Sequence, residues 1–268
     1  MPNEQAGGFI ETRQHSRFVE FANFCRTNRT IGICTGRPGV GKEASGQAYA
    51  QWQTIKPLLD KPRRPQSPPA KLKGCHSVYW DAEVKCSLKK LNSSLMFLRN
   101  KFDGLVQDSL YWYQPDLLRQ APRKHFLELV VINNAHRLSF DCLEVTNDFR
   151  KKYNIGVVLL AVPGFDRKIR LFDPVGCDVA LYHEYSPPRA EELRQILEIR
   201  WHKEAVAIED AAITIIEEVT SSNIQKALNI QTEIERVRGI NSISIISPEL
   251  VEAASKSLLL DLPERSKK

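Results

Sequence analysis

A glycine-rich stretch between residues 30 and 49 constrains the fold of this chain more than any other feature. It runs Thr-Ile-Gly-Ile-Cys-Thr-Gly-Arg-Pro-Gly-Val-Gly-Lys-Glu from Thr30 to Glu43, and small residues suited to a helix follow it. A short β-branched run, a glycine-rich loop and a helix are the parts of a phosphate-binding loop, in which backbone N–H groups and the helix N-terminus hold a phosphate. The sequence therefore predicts a P-loop fold.

The residues predicted to contact a nucleotide lie in this loop and directly after it. Glycine allows the backbone to approach a phosphate closely, and Lys42 supplies a positive charge. The motif ordinarily continues with Ser or Thr, whose hydroxyl binds Mg²⁺, but Glu43 stands there and its carboxylate repels phosphates. The predicted contacts are Gly36, Pro38, Gly39, Val40, Gly41, Lys42 and Glu43. Tight Mg²⁺ binding is not expected.

Alternating strand and helix patterns around the loop predict a parallel sheet in a three-layer αβα domain. The predicted strands are 31–35, 76–82, 127–132, 156–162 and 178–185, and the predicted helices are 13–25, 43–54, 88–101, 105–120 and 140–152. After two prolines at 187 and 188 the pattern is helical only, with apolar stripes over 190–202, 209–220, 224–237 and 248–260. The predicted domains are a flexible N-terminus (1–12), the αβα domain (13–186), a small all-helical lid (187–262) and a basic tail (263–268).

Residues 56–74 form a basic, proline-rich segment with five prolines and six Lys or Arg. This composition predicts an extended surface loop. Two interpretations stay open: a solvated linker, and a loop that contacts nucleic acid.

Composition narrows the function classes. A net charge of +6 and an isoelectric point of about 9.0 are compatible with a polyanionic partner. The six cysteines are scattered without a Cys-x-x-Cys pair, so neither a zinc site nor another metal site is predicted. The sequence shows neither a signal peptide nor an apolar run of about 20 residues, so a cytoplasmic protein without a membrane partner is expected.

The loop, the order of elements and the segment Val-Val-Ile-Asn-Asn-Ala-His-Arg-Leu (130–138) together resemble one branch of the AAA+ proteins. This branch contains the ATPase regulators of transposition: the TnsC and TniB proteins of Tn7-like elements and the Mu B protein. The likeness covers about residues 10–260. It implies ATP binding, self-assembly as rings or helical filaments on duplex DNA, and a connection between a target selector and a transposase.

The chain departs from this family where hydrolysis takes place. Asn133 and Asn134 stand where the family has an Asp that orients Mg²⁺ and a Glu that polarises the attacking water. Val162 stands near the usual water-positioning polar residue, and Lys226 stands where the lid offers a sensor Arg. Loss of a general base alone costs roughly 10²–10⁴ in rate. We therefore expect ATP hydrolysis to be lost or severely impaired, while two interpretations of the loop stay open: bound ATP or ADP, and a tight turn without ligand.

The resemblance also implies that DNA is gripped by its phosphates, a contact that gives affinity without sequence reading. The candidates are Lys85, which lies where family members carry their pore-side loop, with Lys89, Lys90, Arg63, Arg64, Lys71 and Lys73. For Lys89 and Lys90, a solvated helix face is the competing interpretation.

Three functional hypotheses follow. The first is a DNA-binding AAA+ pseudo-ATPase that oligomerises and recruits a transposase or target selector. The second is a slow, DNA-stimulated ATPase in which Glu43 replaces a metal ligand and a distant acid replaces Asn134. The third is a scaffold that does not bind DNA and caps a ring of active paralogues.

Overall fold

The computed structural model describes residues 9–61, 68–112, 122, 124–202, 207–241, 245–258 and 260. The chain divides into two compact units. The sheet unit comprises residues 17–36 and 42–184, and the helical unit comprises the residues up to 16, residues 37–41 and the residues from 185 onward. Each unit has its own cluster of buried apolar side chains.

A five-stranded parallel sheet forms the centre of the sheet unit. Its strands are β1 (Ile31–Thr35), β2 (Ser77–Asp81), β3 (Leu129–Asn133), β4 (Gly156–Ala161) and β5 (Val179–Glu184). Their order across the sheet is β2-β3-β4-β1-β5. Every residue of β1, β3 and β4 is buried, as expected for strands covered by helices on both faces. The ends of β1, β2, β3 and β4 therefore share the carboxyl edge of one sheet.

Helices follow each of the first four strands, as the alternating sequence pattern predicts. α1 (Arg13–Asn28) precedes β1. The helices after the strands are α2 (Lys42–Tyr49), α3 (Trp52–Asp60), α4 (Leu88–Tyr111), α5 (Phe140–Tyr153), α6 (Phe165–Arg170) and α7 (Asp173–Gly176), with 3₁₀ turns at Ala70–Gly74 and Ala135–Arg137. The helix after the glycine-rich loop packs tightly on the sheet, because a Cβ at Gly46 would lie 2.9 Å from Cδ1 of Leu160 and 3.2 Å from Cγ1 of Val131. The close packing of α2 thus depends on a glycine.

The helical unit contains the helices predicted after residue 187. They are α8 (Ala190–His202), α9 (Asp210–Thr220), α10 (Ile224–Asn241) and α11 (Pro248–Ser257). A short parallel pair, β6 (Ala207–Ile208) and β7 (Ile245–Ile246), joins them. Strands of two residues are too short to show a sequence period, so the sequence did not indicate them. No helix in the described part of the chain is long and apolar enough to span a membrane.

The region after the glycine-rich loop corrects two sequence predictions. The predicted helix 43–54 is two helices, because Gln51 adopts a left-handed conformation (φ 48°) between α2 and α3. The predicted extended loop over 56–74 is wrong at both ends: α3 continues through Pro57 to Asp60, and a 3₁₀ turn occupies Ala70–Gly74. Burial of an apolar stripe, Ile55, Leu58 and Leu59, outweighs the backbone hydrogen bond that proline lacks. Residues 62–67 lie outside the described residues.

The break predicted between helices 88–101 and 105–120 is wrong, because α4 runs without interruption from Leu88 to Tyr111. Residues 113–120 of the second predicted helix lie outside the described residues. The sequence Phe102-Asp103-Gly104 suggested a break. Phe102 and Leu105 are buried in the core, and the Asp103 carboxylate accepts hydrogen bonds from the backbone N–H groups of Phe126 (2.8 Å) and Leu127 (3.0 Å). Asp103 therefore tethers the segment that leads into β3 instead of ending a helix.

Candidate nucleotide site

The glycine-rich loop, Gly36 to Lys42, is named here the phosphate loop. It begins where β1 ends, and the backbone N–H of Gly36 donates to the carbonyl of Ala161 at 3.3 Å. Gly39 (φ 80°) and Gly41 (φ 102°) adopt the left-handed conformations that other residues rarely tolerate. Val40 between them is buried. The loop thus has the backbone geometry that its glycines predict.

Asn223, a residue that the sequence did not single out, contacts the phosphate loop within the helical unit. Its side-chain N–H donates to the carbonyl of Pro38 at 2.7 Å, and the backbone N–H of Gln225 donates to the carbonyl of Gly39 at 3.2 Å. Asn223 also caps α10, because its Oδ1 accepts from the backbone N–H of Lys226 at 3.1 Å. A Cβ at Gly39 would lie only 2.4 Å from Oδ1 of Asn223. The helix-cap pattern Ser-Asn before an apolar stripe was the available sequence signal.

Lys226, the predicted replacement for the sensor Arg, lies in the first turn of α10 with an exposed side chain. Its hydrogen bond to Asn223 uses the backbone N–H, so the ammonium group is not needed for that contact. Lys226 and the loop residues from Pro38 to Gly41 belong to the helical unit.

Lys42 and Glu43 open α2 in the sheet unit. Burial lowers the pKa of Lys42, and the nearby Cys34 thiol and Glu43 carboxylate act in the opposite direction. Glu43 accepts a hydrogen bond from Nε2 of Gln47, one helical turn later, at 3.3 Å. The position that normally offers a hydroxyl to Mg²⁺ thus carries a carboxylate, which is hydrogen-bonded to Gln47 of the same helix.

The end of β3 joins three side chains into a hydrogen-bonded cluster. Asp81 ends β2 and lies opposite Asn133, which ends β3 and is buried. The side-chain N–H groups of Asn133 (3.3 Å) and Asn134 (2.7 Å) both donate to Oδ1 of Asp81. We name these three residues the Asp81 cluster. The sequence placed Asp81 on a strand but gave it no role, because strand pairing is what brings it beside the asparagines.

The end of β4 offers no polar side chain at Val162. This residue is half-buried, and its carbonyl accepts a hydrogen bond from the backbone N–H of Phe165 at 3.3 Å in the turn before α6. The local contact is therefore a backbone turn, and the side chain can neither orient water nor accept a proton.

His136 stands two positions after Asn134 of the Asp81 cluster in the sequence, and three positive charges act on it. Burial lowers the pKa of His136, and the charges of Arg137, Lys42 and Lys168 lower it further. Among the described residues, Nδ1 of His136 is buried without a hydrogen-bond partner. Arg137 donates to the carbonyl of Ala82 at 3.1 Å, and Nζ of Lys168 donates to the carbonyl of Leu138 at 3.4 Å. Backbone carbonyls hold both cations in place and leave their charges uncancelled by these bonds.

Within the described part of the chain, no group of three or more His, Cys, Asp or Glu is arranged to hold a metal ion. Burial raises the pKa of the Tyr79 hydroxyl, and the charges of Glu43 and Asp81 raise it further. Their other contacts are with amide N–H groups.

The candidate DNA contacts lie on surfaces of the sheet unit. Lys85 is exposed in the turn after β2. Lys89 and Lys90 are in the first turn of α4, where Nζ of Lys90 pairs with Oε1 of Glu83 at 3.3 Å. Lys71 and Lys73 are exposed in the 3₁₀ turn at 70–74. Arg63 and Arg64 lie outside the described residues.

Comparison with known proteins identifies the family. A family model described as an AAA domain matches residues 25–169. The chain belongs to the AAA domain family. A Staphylococcus aureus protein named "Potential ATP-binding protein" is 26% identical over 266 residues, which cover 95% of this chain and 97% of that protein.

Solved structures resemble this AAA protein in fold. The RuvB Holliday junction branch migration motor of Thermotoga maritima aligns with a TM-score of 0.59 at 14% identity, over 97% of this chain and 74% of that chain. Drosophila ORC bound to DNA aligns with a TM-score of 0.57 at 13% identity, over 96% and 64% of the respective chains. The parallel sheet with its flanking helices is therefore an AAA+ P-loop fold, and the predicted fold class is confirmed.

Proposed function

We propose that this AAA protein is a nucleotide-binding regulator of the TnsC, TniB and Mu B type. It binds ATP or ADP, assembles with itself on duplex DNA, and recruits a transposase or target selector, with ATP hydrolysis lost or severely impaired. The observation that carries the proposal is a contrast between two segments: the phosphate loop keeps its glycine geometry, while Asn133 and Asn134 are hydrogen-bond donors to Asp81.

Nucleotide binding is supported by groups that can hold phosphates but take no part in hydrolysis. The phosphate loop is followed by the N-terminus of α2, whose partial positive charge favours an anion. Lys42 stands at the helix start. The name of the Staphylococcus aureus relative, which mentions ATP binding, points in the same direction.

Impaired hydrolysis follows from the chemistry of the amide group. An amide carries no negative charge to balance Mg²⁺, and it does not accept a proton from water. Phosphoryl transfer depends on both the metal and a residue that positions or deprotonates the nucleophile. In this chain both positions carry amides whose N–H groups are directed to a neighbouring carboxylate.

Duplex DNA binding is supported by the charge at the start of α4. Its first turn contains Lys89 and Lys90 and no acidic residue. Lysines at a helix N-terminus do not stabilise the helix, since the macrodipole prefers anions there. The same arrangement suits a DNA phosphate, which would meet both the lysines and the helix N-terminus. The solved neighbours RuvB and ORC are described in connection with DNA.

A mobility-shift assay with an arbitrary duplex tests the DNA part of this proposal. Lys85→Glu with Lys89→Glu should weaken binding, and each lost phosphate contact should reduce the slope of log affinity against log salt by about 1. Lys56→Glu with Lys256→Glu changes the net charge equally at exposed sites elsewhere and should have a smaller effect. Absence of salt-sensitive binding in the parent protein would instead favour the scaffold that caps active paralogues.

A slow ATPase is the second candidate, and Asp81 is the observation that favours it. Its carboxylate lies 2.7 Å from Nδ2 of Asn134, so an acid stands one strand away from the family's position. If this candidate is right, DNA-stimulated phosphate release will be measurable and will disappear in both Lys42→Ala and Asp81→Asn. Release that persists in Lys42→Ala indicates a contaminating enzyme.

A further inference from the structure

The contacts of the Asp81 cluster indicate whether a nucleotide binds with magnesium or without it. Magnesium in nucleotide sites is held by one or two carboxylates together with phosphate oxygens and waters. In this chain the strand-end position has an amide at Asn133, and the position after Lys42 has Glu43 in place of a hydroxyl. Oδ1 of Asp81 already accepts from both asparagines. The residues therefore do not match the donor set of a magnesium–nucleotide site.

Charge compensation for a phosphate is available from protein cations instead. Arg137 lies in the 3₁₀ turn that follows β3, and Nζ of Lys168 donates to the carbonyl of Leu138 directly after that turn. Lys42 opens α2, which packs on β3 and β4 through Gly46. All three charges also act on His136. Arg137 and Lys168 are fixed by the carbonyls of Ala82 (3.1 Å) and Leu138 (3.4 Å). The opposing charges are those of Asp81 and Glu43, and each of these carboxylates accepts amide N–H groups. These carboxylates keep their charges, but the three cations outnumber them.

We infer that this chain binds its nucleotide as the metal-free nucleoside polyphosphate, and that the positive charges of Lys42, Arg137 and Lys168 take the place of magnesium. The inference rests on the proposed nucleotide binding and specifies its ligand. It also assigns a role to Arg137 and Lys168, which the family resemblance did not identify as nucleotide contacts. In this arrangement the cations neutralise the phosphate charge but do not activate a water molecule, so the bound nucleotide keeps its phosphates.

Titration with a fluorescent ATP analogue, once with magnesium chloride and once with EDTA, tests the inference on the full chain. The two dissociation constants should agree within about threefold, because the carboxylates of Asp81 and Glu43 already accept amide N–H groups and the strand-end position is an amide. A dissociation constant at least about tenfold tighter with magnesium would overturn the inference and leave the proposed nucleotide binding intact. Absence of binding in both solutions, with a folded protein by circular dichroism, would overturn the proposed function itself.

Two substitutions test whether the charge of Lys168 contributes to nucleotide affinity in the absence of a metal. Lys168→Gln retains a donor for the Leu138 carbonyl but removes the charge, and should weaken binding in EDTA by up to about fivefold. Lys56→Gln, on an exposed face of α3, is the matched control and should leave affinity unchanged. Equal affinities for these two variants would contradict the role of Lys168.

The Asp81→Asn variant tests whether the Asp81 carboxylate repels the nucleotide phosphates or binds a metal. Without a bound metal, removal of this negative charge should tighten nucleotide binding slightly in EDTA and equally in magnesium. If Asp81 held a metal, the same variant would lose affinity only in magnesium, and the inference would be wrong. As a positive control, Glu43→Thr with Asn133→Asp should make the affinity depend on magnesium by about tenfold or more.

Discussion

The phosphate loop, which begins where β1 ends, and the end of β3 depart to different degrees from the AAA+ pattern. The loop depends on backbone conformation, and Gly39 and Gly41 supply it through left-handed φ angles. The end of β3 depends on side-chain charge, and Asn133 and Asn134 have none. The comparison teaches that holding a phosphate and transferring it are separable tasks, since the first uses the backbone and the second uses ionised side chains.

The hydrogen bonds at the end of β3 explain why uncharged side chains suit these positions. Two amides that face Asp81 are well paired, whereas two carboxylates in the same positions would stand beside a third. Reversal of a single residue would therefore place like charges together. The phosphate loop is under no such constraint, because its contacts with Asn223 and Gln225 use backbone carbonyls.

The largest effect is expected from rebuilding the hydrolytic groups. A variant with Glu43→Thr, Asn133→Asp, Asn134→Glu and Asp81→Asn should gain magnesium-dependent phosphate release by at least about 100-fold over the parent, because it restores the metal ligands and the base. Phosphate release is measured by a coupled fluorescence assay. The variant that retains Asp81 should gain less, because Asp81 repels the new carboxylates. No gain in any variant would mean that the difference between the two regions is not what limits hydrolysis.

A smaller effect is expected from the loop lysine. Lys42→Ala removes a charge-assisted contact with phosphate, so nucleotide affinity should fall roughly 10- to 100-fold. Isothermal titration calorimetry in EDTA measures the change. An unchanged affinity would show that the loop is only a turn.

The contact between Asn223 and the phosphate loop gives a third prediction, on stability. Gly39→Ala forces a Cβ to within 2.4 Å of Oδ1 of Asn223, in addition to the strain of a positive φ. Gly164→Ala is the matched control, because Gly164 also has a positive φ (88°) but no atom within 4 Å of an added Cβ. Thermal unfolding should show a midpoint for Gly39→Ala that is lower than that of the control by roughly 2–4 °C. Equal midpoints would mean that Asn223 moves away without cost.

The smallest effect is expected from His136, as a dependence of stability on pH. Its pKa in the folded protein is lowered from 6.5 by burial and by nearby cations. The unfolded state therefore binds the proton more readily, and the contribution of His136 to stability is present above pH 6.5 and is lost as pH falls through the folded pKa. His136→Gln should lose this part of the pH dependence, measured as the difference in unfolding midpoint between neutral and mildly acidic buffer. His15 and His183, whose pKa values are also lowered, remain in both proteins as an internal control.

Sequence patterns predicted the features that depend on neighbouring residues. The β-branched run before Gly36 predicted β1, and the continuous apolar run before Asn133 predicted a buried strand. Propensity was misleading where tertiary burial decided the outcome. Pro57 suggested a loop, yet Leu58 and Leu59 are buried and α3 continues.

Two site residues could not be assigned from the sequence, because their roles come from distant partners. Asp81 meets Asn133 and Asn134 only through pairing of β2 with β3, more than fifty positions along the chain. Asn223 meets Pro38 across 185 positions. Local patterns give a residue's place on a strand or helix end, but the order of strands decides which side chain it faces.

The central claim is that the protein holds ATP and does not cleave it. Its most direct test is to bind radiolabelled ATP to the full chain with duplex DNA and magnesium present, quench with acid after increasing times, and measure the nucleotide recovered from the protein. We expect ATP to be recovered at all times, and no bound nucleotide from the Lys42→Ala variant. Conversion of the bound ATP to ADP in the parent, with no conversion by Lys42→Ala, would contradict the claim.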